Sequence, residues 1–116
     1  MLRGTVIHGD KRGRILGFPT ANLDVSVKQT KHAPGVYAAM ADLHGTKYPA
    51  ALIIHQYRDK IEVHFLDYTG PEFYGEFLEV EPKQRVSAME KTTSVESLIE
   101  KITADLECVR SYFAGN

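Results

Sequence analysis

A chain of 116 residues has room for one compact core and too few residues for two, so every functional group is expected to come from a single domain over residues 1–116. Hydrophobic content of 43% and charged content of 25% exclude a disordered chain, and a formal net charge of -1 excludes a global field for nucleic acid or an anionic membrane. The single cysteine, Cys108, forms no intramolecular disulfide, and no apolar run has the length of a membrane span or a signal-peptide core, which points to a reducing, cytoplasmic setting.

Loose apolar alternation from Leu2 to His8 predicts a first strand, ended by Gly9-Asp10. A polar loop follows over Gly9 to Gly17 and contains Lys11, Arg12, Gly13 and Arg14. At Gly17-Phe18-Pro19 the proline keeps its predecessor extended and forbids a helix, so Thr20 to Leu23 leaves the loop as an extended segment. Asp24 to His32 is polar without a period. Pro34-Gly35 then introduces a strand over Val36 to Ala41, and His44-Gly45 reads as a turn. Tyr48 to His55, with Ala50, Leu52 and Ile54 alternating, is the next strand; Gln56 to Lys60 turns the chain back into Ile61 to Asp67, predicting a hairpin. After the turn signal Thr69-Gly70-Pro71, a strand places Phe73, Gly75, Phe77 and Glu79 on one side and Tyr74, Glu76, Leu78 and Val80 on the other, and Pro82 is expected to end it. Short, regularly spaced strands predict a mainly β barrel or sandwich, and closure would remove the exposed edges. The period then changes: Val95, Leu98, Ile99, Ile102, Leu106, Val109 and Phe113 form one apolar face of a helix, with Thr93 and Glu96 as its capping box. This apolar set, Cys108 included, is read as core.

A glycine-containing loop directly after a strand presents backbone N–H groups to a phosphate, or is simply a solvated turn. It is not a Walker A loop, because no Gly-Lys-Ser/Thr stands at the required spacing. Thr20 and Asn22, two apart on an extended segment, face the same way; their hydroxyl and amide oxygens suit magnesium, or bond the loop itself. Glu62 and His64 alternate on a strand against Ile61, Val63 and Phe65, as an exposed polar face or as the seat of a general base. The five histidines show no ligand-pair spacing. Tyr48, Tyr57 and Tyr68 would be the stacking residues of a barrel that binds single-stranded nucleic acid, a reading the balanced charge argues against.

Gly13-Arg14-Ile15-Leu16-Gly17-Phe18-Pro19-Thr20-Ala21-Asn22 resembles the Gly-Arg-x-Leu-Gly-Phe-Pro-Thr-Ala-Asn signature of riboflavin kinases. Pro34-Gly35-Val36-Tyr37, the run from Ile61 to Asp67, and Phe73-Tyr74-Gly75 resemble the family's Gly-Val-Tyr, Val-Glu-x-His-x-Leu-Asp and Leu-Tyr-Gly segments in the same order. Ser94 to Leu98 and Ala104-Asp105-Leu106 extend the resemblance over nearly the whole chain. It implies a six-stranded Greek-key β-barrel with a C-terminal α-helix that transfers the γ-phosphoryl group of magnesium-ATP to the 5′-hydroxyl of riboflavin, giving FMN. By that resemblance Gly9, Gly13, Arg14 and Gly17 bind the nucleotide phosphates, Thr20 and Asn22 serve phosphate and Mg2+, Glu62 is the catalytic base, and Asp105 matches a flavin-site position.

Two departures accompany the match. The family's Gly-x-x-Pro-Thr-Phe segment has no counterpart between Ile54-His55 and Ile61, and its Leu-Arg-x-Glu-x-x-Phe flap is here Val86 to Thr92, with Ser87 for the arginine and Thr92 for the aromatic. That removes a planar cation and a stacking surface. A catalytically impaired flavin- or nucleotide-binding module of the same fold is therefore the second reading. Bacterial members of the family usually carry an adenylyltransferase domain beside this unit, so the resemblance leaves two options, a stand-alone kinase or one unit whose adenylyltransferase domain or oligomer partner lies outside these residues; ATP and riboflavin are the expected small-molecule partners, with neither nucleic acid nor membrane.

Overall fold

In a computed structural model, which describes residues 1–7, 21–66 and 74–115, the chain forms β1 (Leu2–Ile7), β2 (Ala21–Leu23), β3 (Gly35–Leu43), β4 (Thr46–Ile54), β5 (Ile61–Phe65), β6 (Phe77–Ser87) and α1 (Val95–Gly115). The strands close into a barrel in the order β1-β2-β5-β4-β3-β6, and every neighbouring pair is antiparallel. Because β3, β4 and β5 are successive neighbours and β6 returns beside β3, the connectivity is a Greek key. The expected six-stranded barrel with one C-terminal helix is what the chain adopts. Among the described residues no helix is long and apolar enough to cross a membrane.

The period-two pattern separates two apolar layers. Tyr37, Ala39, Ala41, Ala50, Leu52, Ile54, Ile61, Val63, Leu78 and Val80 fill the barrel interior together with residues of β1 and β2. The alternate positions Val36, Ala38 and Ala51 face outward and form a second cluster with Val109 of α1, flanked by Ile53, Leu66, Leu106, Tyr112 and Phe113. Alanines at 38 and 51, both fully buried, leave room for the helix to approach the outside of the sheet. The β3–β4 turn has two positive φ angles, 55° at His44 and 82° at Gly45, as a two-residue hairpin turn between twisted strands requires. Gly35 has φ 153°, and a Cβ there would stand 2.8 Å from the Ser87 carbonyl oxygen and 2.5 Å from Arg85 Nε, so the predicted Pro-Gly entry to β3 is also a close approach of two backbones.

Four sequence expectations need correction. The last strand begins only at Phe77, because Tyr74 and Gly75, expected within it, form a turn with φ 84° at Gly75. Pro82 does not end its strand: β6 runs on to Ser87. Pairing with β1 stops at Leu2↔Val80, and the register with β3 shifts between Ala38↔Gln84 and Ala39↔Pro82, so the proline sits beside a bulge on a stretch with one strand neighbour. Its missing N–H is tolerated there. The helix is capped by Ser94 rather than by Thr93 with Glu96, the Ser94 Oγ accepting from the Ser97 N–H at 3.1 Å. Nor is the helix face uniformly core: Val109 is buried, whereas Val95, Ile99 and Cys108 are exposed, because only the C-terminal half of α1 lies on the Ala38–Ala51 platform.

Leu52→Ala, which opens a cavity inside the barrel, is expected to cost about 2–5 kcal/mol. Val95→Ser, on the exposed half of α1, should stay within about 0.5 kcal/mol of the parent. Urea denaturation of the two variants checks both values.

Candidate functional site

The outward-facing residues of β2 and β5 carry the chemistry. Ala21 and Leu23 point into the barrel, so Asn22 between them points out; Ile61 and Val63 likewise point in and turn Glu62 out. Asn22 and Glu62 are directly paired across the β2–β5 ladder. The same cross-strand row continues through Ile53 and Val36 to Ser87. This outer face is not a solvated polar surface: Asn22 and His64 are buried, and the Glu62 side chain is only 14% exposed.

The Asn22 Oδ1 is buried and has no hydrogen-bond partner among the described residues. Buried acceptors are rarely left so, and an amide oxygen is a hard donor that suits magnesium or a phosphate-bound water. Thr20, its expected companion, and Gly9, Gly13, Arg14 and Gly17 lie outside the described residues.

Glu62 is held from the β4–β5 connection. His55 Nε2 lies 2.7 Å and Lys60 Nζ 3.5 Å from the same oxygen, Oε1. The short loop is closed by the His55 N–H donating to the Lys60 carbonyl at 3.1 Å, just beyond the last ladder pair Ile54↔Ile61. Asp59 in the same loop accepts from the Ser26 hydroxyl at 2.9 Å and the Val27 N–H at 2.8 Å. Ser26 in turn caps a 3-10 turn over Val27–Gln29, in the polar stretch that showed no period in the sequence. The missing Pro-Thr-Phe segment thus leaves a compact, tethered loop whose two end residues both reach the glutamate. Its Tyr57 ring lies under Lys91 Nζ, 4.7 Å from the centroid, which ties the loop to the segment between β6 and α1.

Asp105 projects from α1 and is buried. Its Oδ2 pairs with Lys101 Nζ at 2.5 Å, and that ammonium also donates to Ser87 Oγ at 2.8 Å. The serine standing where an arginine was expected is therefore bonded from the helix. Glu62 and Ser87 stand three strand spacings apart in the row, about 14 Å along the sheet, so Asn22 and Glu62 mark one end of an outer face and Asp105 the other. The pairing of Asp105 with Lys101, and of Glu62 with His55 and Lys60, were both missed from sequence. The first has an i, i+4 spacing that could have revealed it; the second depends on a loop conformation that no periodicity encodes.

The Flavokinase family model, that of riboflavin kinase, matches residues 1–113. The chain belongs to the riboflavin kinase family. Similar flavokinase-containing relatives include the bifunctional riboflavin kinase/FMN adenylyltransferase of Bacillus subtilis, 33% identical over 123 residues covering 98% of this chain and 39% of the relative. The enzyme of the same name from Listeria monocytogenes is 38% identical over 119 residues, covering 97% and 38%. The chain thus spans about two fifths of the length of these relatives. Among solved structures, the macrolide-efflux protein from Streptococcus pneumoniae superposes with a TM-score of 0.80 at 33% identity, covering 93% of this chain and 37% of that one. Riboflavin kinase from Trypanosoma brucei shares the fold with a TM-score of 0.67 at 24% identity, covering 98% and 79%.

The Asp59 tether has a defined pH dependence. The Val27 N–H first, and the Ser26 hydroxyl second, hold the Asp59 carboxyl below its ordinary value. A carboxyl depressed in the folded state contributes stability that is present above its unfolded value and is lost as pH falls through the folded value. Protection of the Val27 amide from hydrogen exchange is therefore expected to persist from neutral pH through the ordinary aspartate range and to fall only in stronger acid. In Asp59→Ala that protection should be low throughout.

Proposed function

We propose that this chain is an ATP-dependent riboflavin kinase that converts riboflavin to FMN. The observation that carries this reading is the buried Asn22 Oδ1, without a hydrogen-bond partner among the described residues and paired in register with Glu62, at the end of the segment that bears the family's signature.

In this reading Gly9, Gly13, Arg14 and Gly17 hold the nucleotide phosphates, Thr20 and Asn22 hold Mg2+, and Asp105 orients the flavin from the far end of the outer face. When bound, the magnesium ion neutralises phosphate charge. Glu62 receives the proton of the ribityl 5′-hydroxyl as that oxygen bonds to the γ-phosphorus; the bond from phosphorus to the bridging oxygen breaks, and ADP leaves. Phosphoryl transfer draws most of its acceleration from alignment and charge neutralisation, so one carboxylate suffices for the proton. The small solvent exposure of Glu62, 14%, and its fixed contacts with His55 and Lys60 support this assignment.

The kinase unit is taken as the single domain 1–116, acting in the cytoplasm, where Cys108 stays reduced. The curated relatives are bifunctional by name, so the FMN formed here is expected to pass to an adenylyltransferase, in the same polypeptide or as a partner.

A second reading, a flavin- or nucleotide-binding module with impaired catalysis, is favoured by the flap. Of the cations near the replaced arginine, Arg85 bonds the Pro34 carbonyl through Nε at 3.1 Å and Nη2 at 2.9 Å, and Lys91 sits on Tyr57.

Chromatographic measurement of FMN from riboflavin and magnesium-ATP separates the two readings. A working kinase should yield product, with kcat lowered about 10²–10⁴-fold in Glu62→Gln and nucleotide affinity little changed. Full activity in Glu62→Gln would remove the base assignment. Ligand binding by the parent protein without any product would establish the second reading.

A further inference from the structure

We infer that His55 is a positioning residue for Glu62, fixing the carboxylate through Nε2 so that it meets the acceptor hydroxyl in one orientation; this rests on the kinase reading above.

The contact is of a different kind from the histidine–carboxylate pair at the β3–β4 turn. His44 and Glu76 are 3.1 Å apart, but their side chains are 65% and 45% exposed, so solvent competes for both. His55 and Glu62 are 2.7 Å apart at 18% and 14% exposure. A largely buried carboxylate with a short contact on one oxygen has few alternative rotamers open to it.

The imidazole is itself placed by rigid neighbours. His55 follows directly on β4, whose final rung Ile54↔Ile61 is one residue from Glu62 on the partner strand. Its N–H closes the loop on the Lys60 carbonyl, and Asp59 binds that loop to Ser26 and Val27. Lys60 approaches the same Oε1 from the other end of the loop, at a longer 3.5 Å, and supplies charge rather than direction. The shortened β4–β5 connection thereby provides a holder for the base within the chain's own departure from the family pattern.

A group that only orients a base changes turnover more than substrate binding, because it acts on the geometry of proton transfer. His55→Ala is therefore expected to lower kcat about ten- to a hundredfold while the KM values for riboflavin and ATP move less than about threefold. His55→Gln, whose side-chain amide offers an N–H at a similar reach, should recover most of that loss. Unfolding midpoints of both variants keep a folding defect apart from a catalytic one. Parent-like kcat in His55→Ala, with Glu62→Gln impaired, would overturn the positioning role and leave the kinase reading standing. Equal impairment of the alanine and glutamine variants at parent-like stability would also overturn it. Absence of product from the parent protein would overturn both. The contact is read without turnover by nitrogen NMR of the imidazole: Glu62→Gln should move the His55 Nε2 resonance, and an unmoved resonance would refute the contact itself.

Discussion

The barrel is sealed by a strand of three residues. β2 pairs with β1 through Val6↔Leu23 and Ile7↔Asn22, and with β5 through Ala21↔Val63 and Asn22↔Glu62. Without those rungs β1 and β5 would be open edges, with unpaired backbone groups and an uncovered core. The same rungs set Asn22 against Glu62. Stability and site geometry therefore share a single short ladder: Ala21 and Leu23 anchor it by filling the interior, and the alternation that drives them inward is what sends Asn22 outward. A one-residue slip of β2 would turn two apolar side chains out of the barrel interior and the amide into it at once, which is why so short a strand holds one register.

The helix is fixed by a different balance. Ala38 and Ala51 let α1 seat Val109 against the sheet, and the ion pair between Lys101 and Asp105 is drawn down with it, its side chains only 13% and 12% exposed. Removing charges from water is costly, and a buried pair is weak evidence of net stabilisation; breaking one partner, by contrast, leaves an unpaired charge. Lys101 offsets part of the cost through Ser87. The serine in place of the family's arginine thus serves an ammonium from the helix, and the outer face keeps a charged, bonded end opposite Glu62.

Much of this could be read in the sequence because it is local or periodic. Alternation in β4, β5 and β6 gave the inward and outward sets, and the run from Gly13 to Asn22 led to the fold and to Asn22. What escaped depended on contacts between segments. Pro82 reads as a stop only if the strand has partners on both sides and no bulge, and neither condition is visible before the barrel is closed. Val95 and Ile99 share the helical period of Val109, but the platform of small residues that buries Val109 does not extend beneath them. Glu62 and His64 have the pattern of a solvated strand face, but both are withdrawn from solvent, Glu62 under the His55 and Lys60 ends of the loop. The grip of His55 and Lys60 on Glu62 belongs to the loop's closed conformation.

That loop joins the two halves of the site mechanically. From Glu62 the contacts run to His55 and Lys60, through the loop to Asp59, from Asp59 to Ser26 and Val27, and back along the chain to Leu23 and Asn22, which pairs with Glu62 again. Ordering a long side chain costs up to about 2 kcal/mol in rotamer freedom, and here the cost is met during folding rather than at each turnover. The short β4–β5 connection therefore acts as a clamp, with the amide on β2 and the carboxylate on β5 held in the same closed circuit.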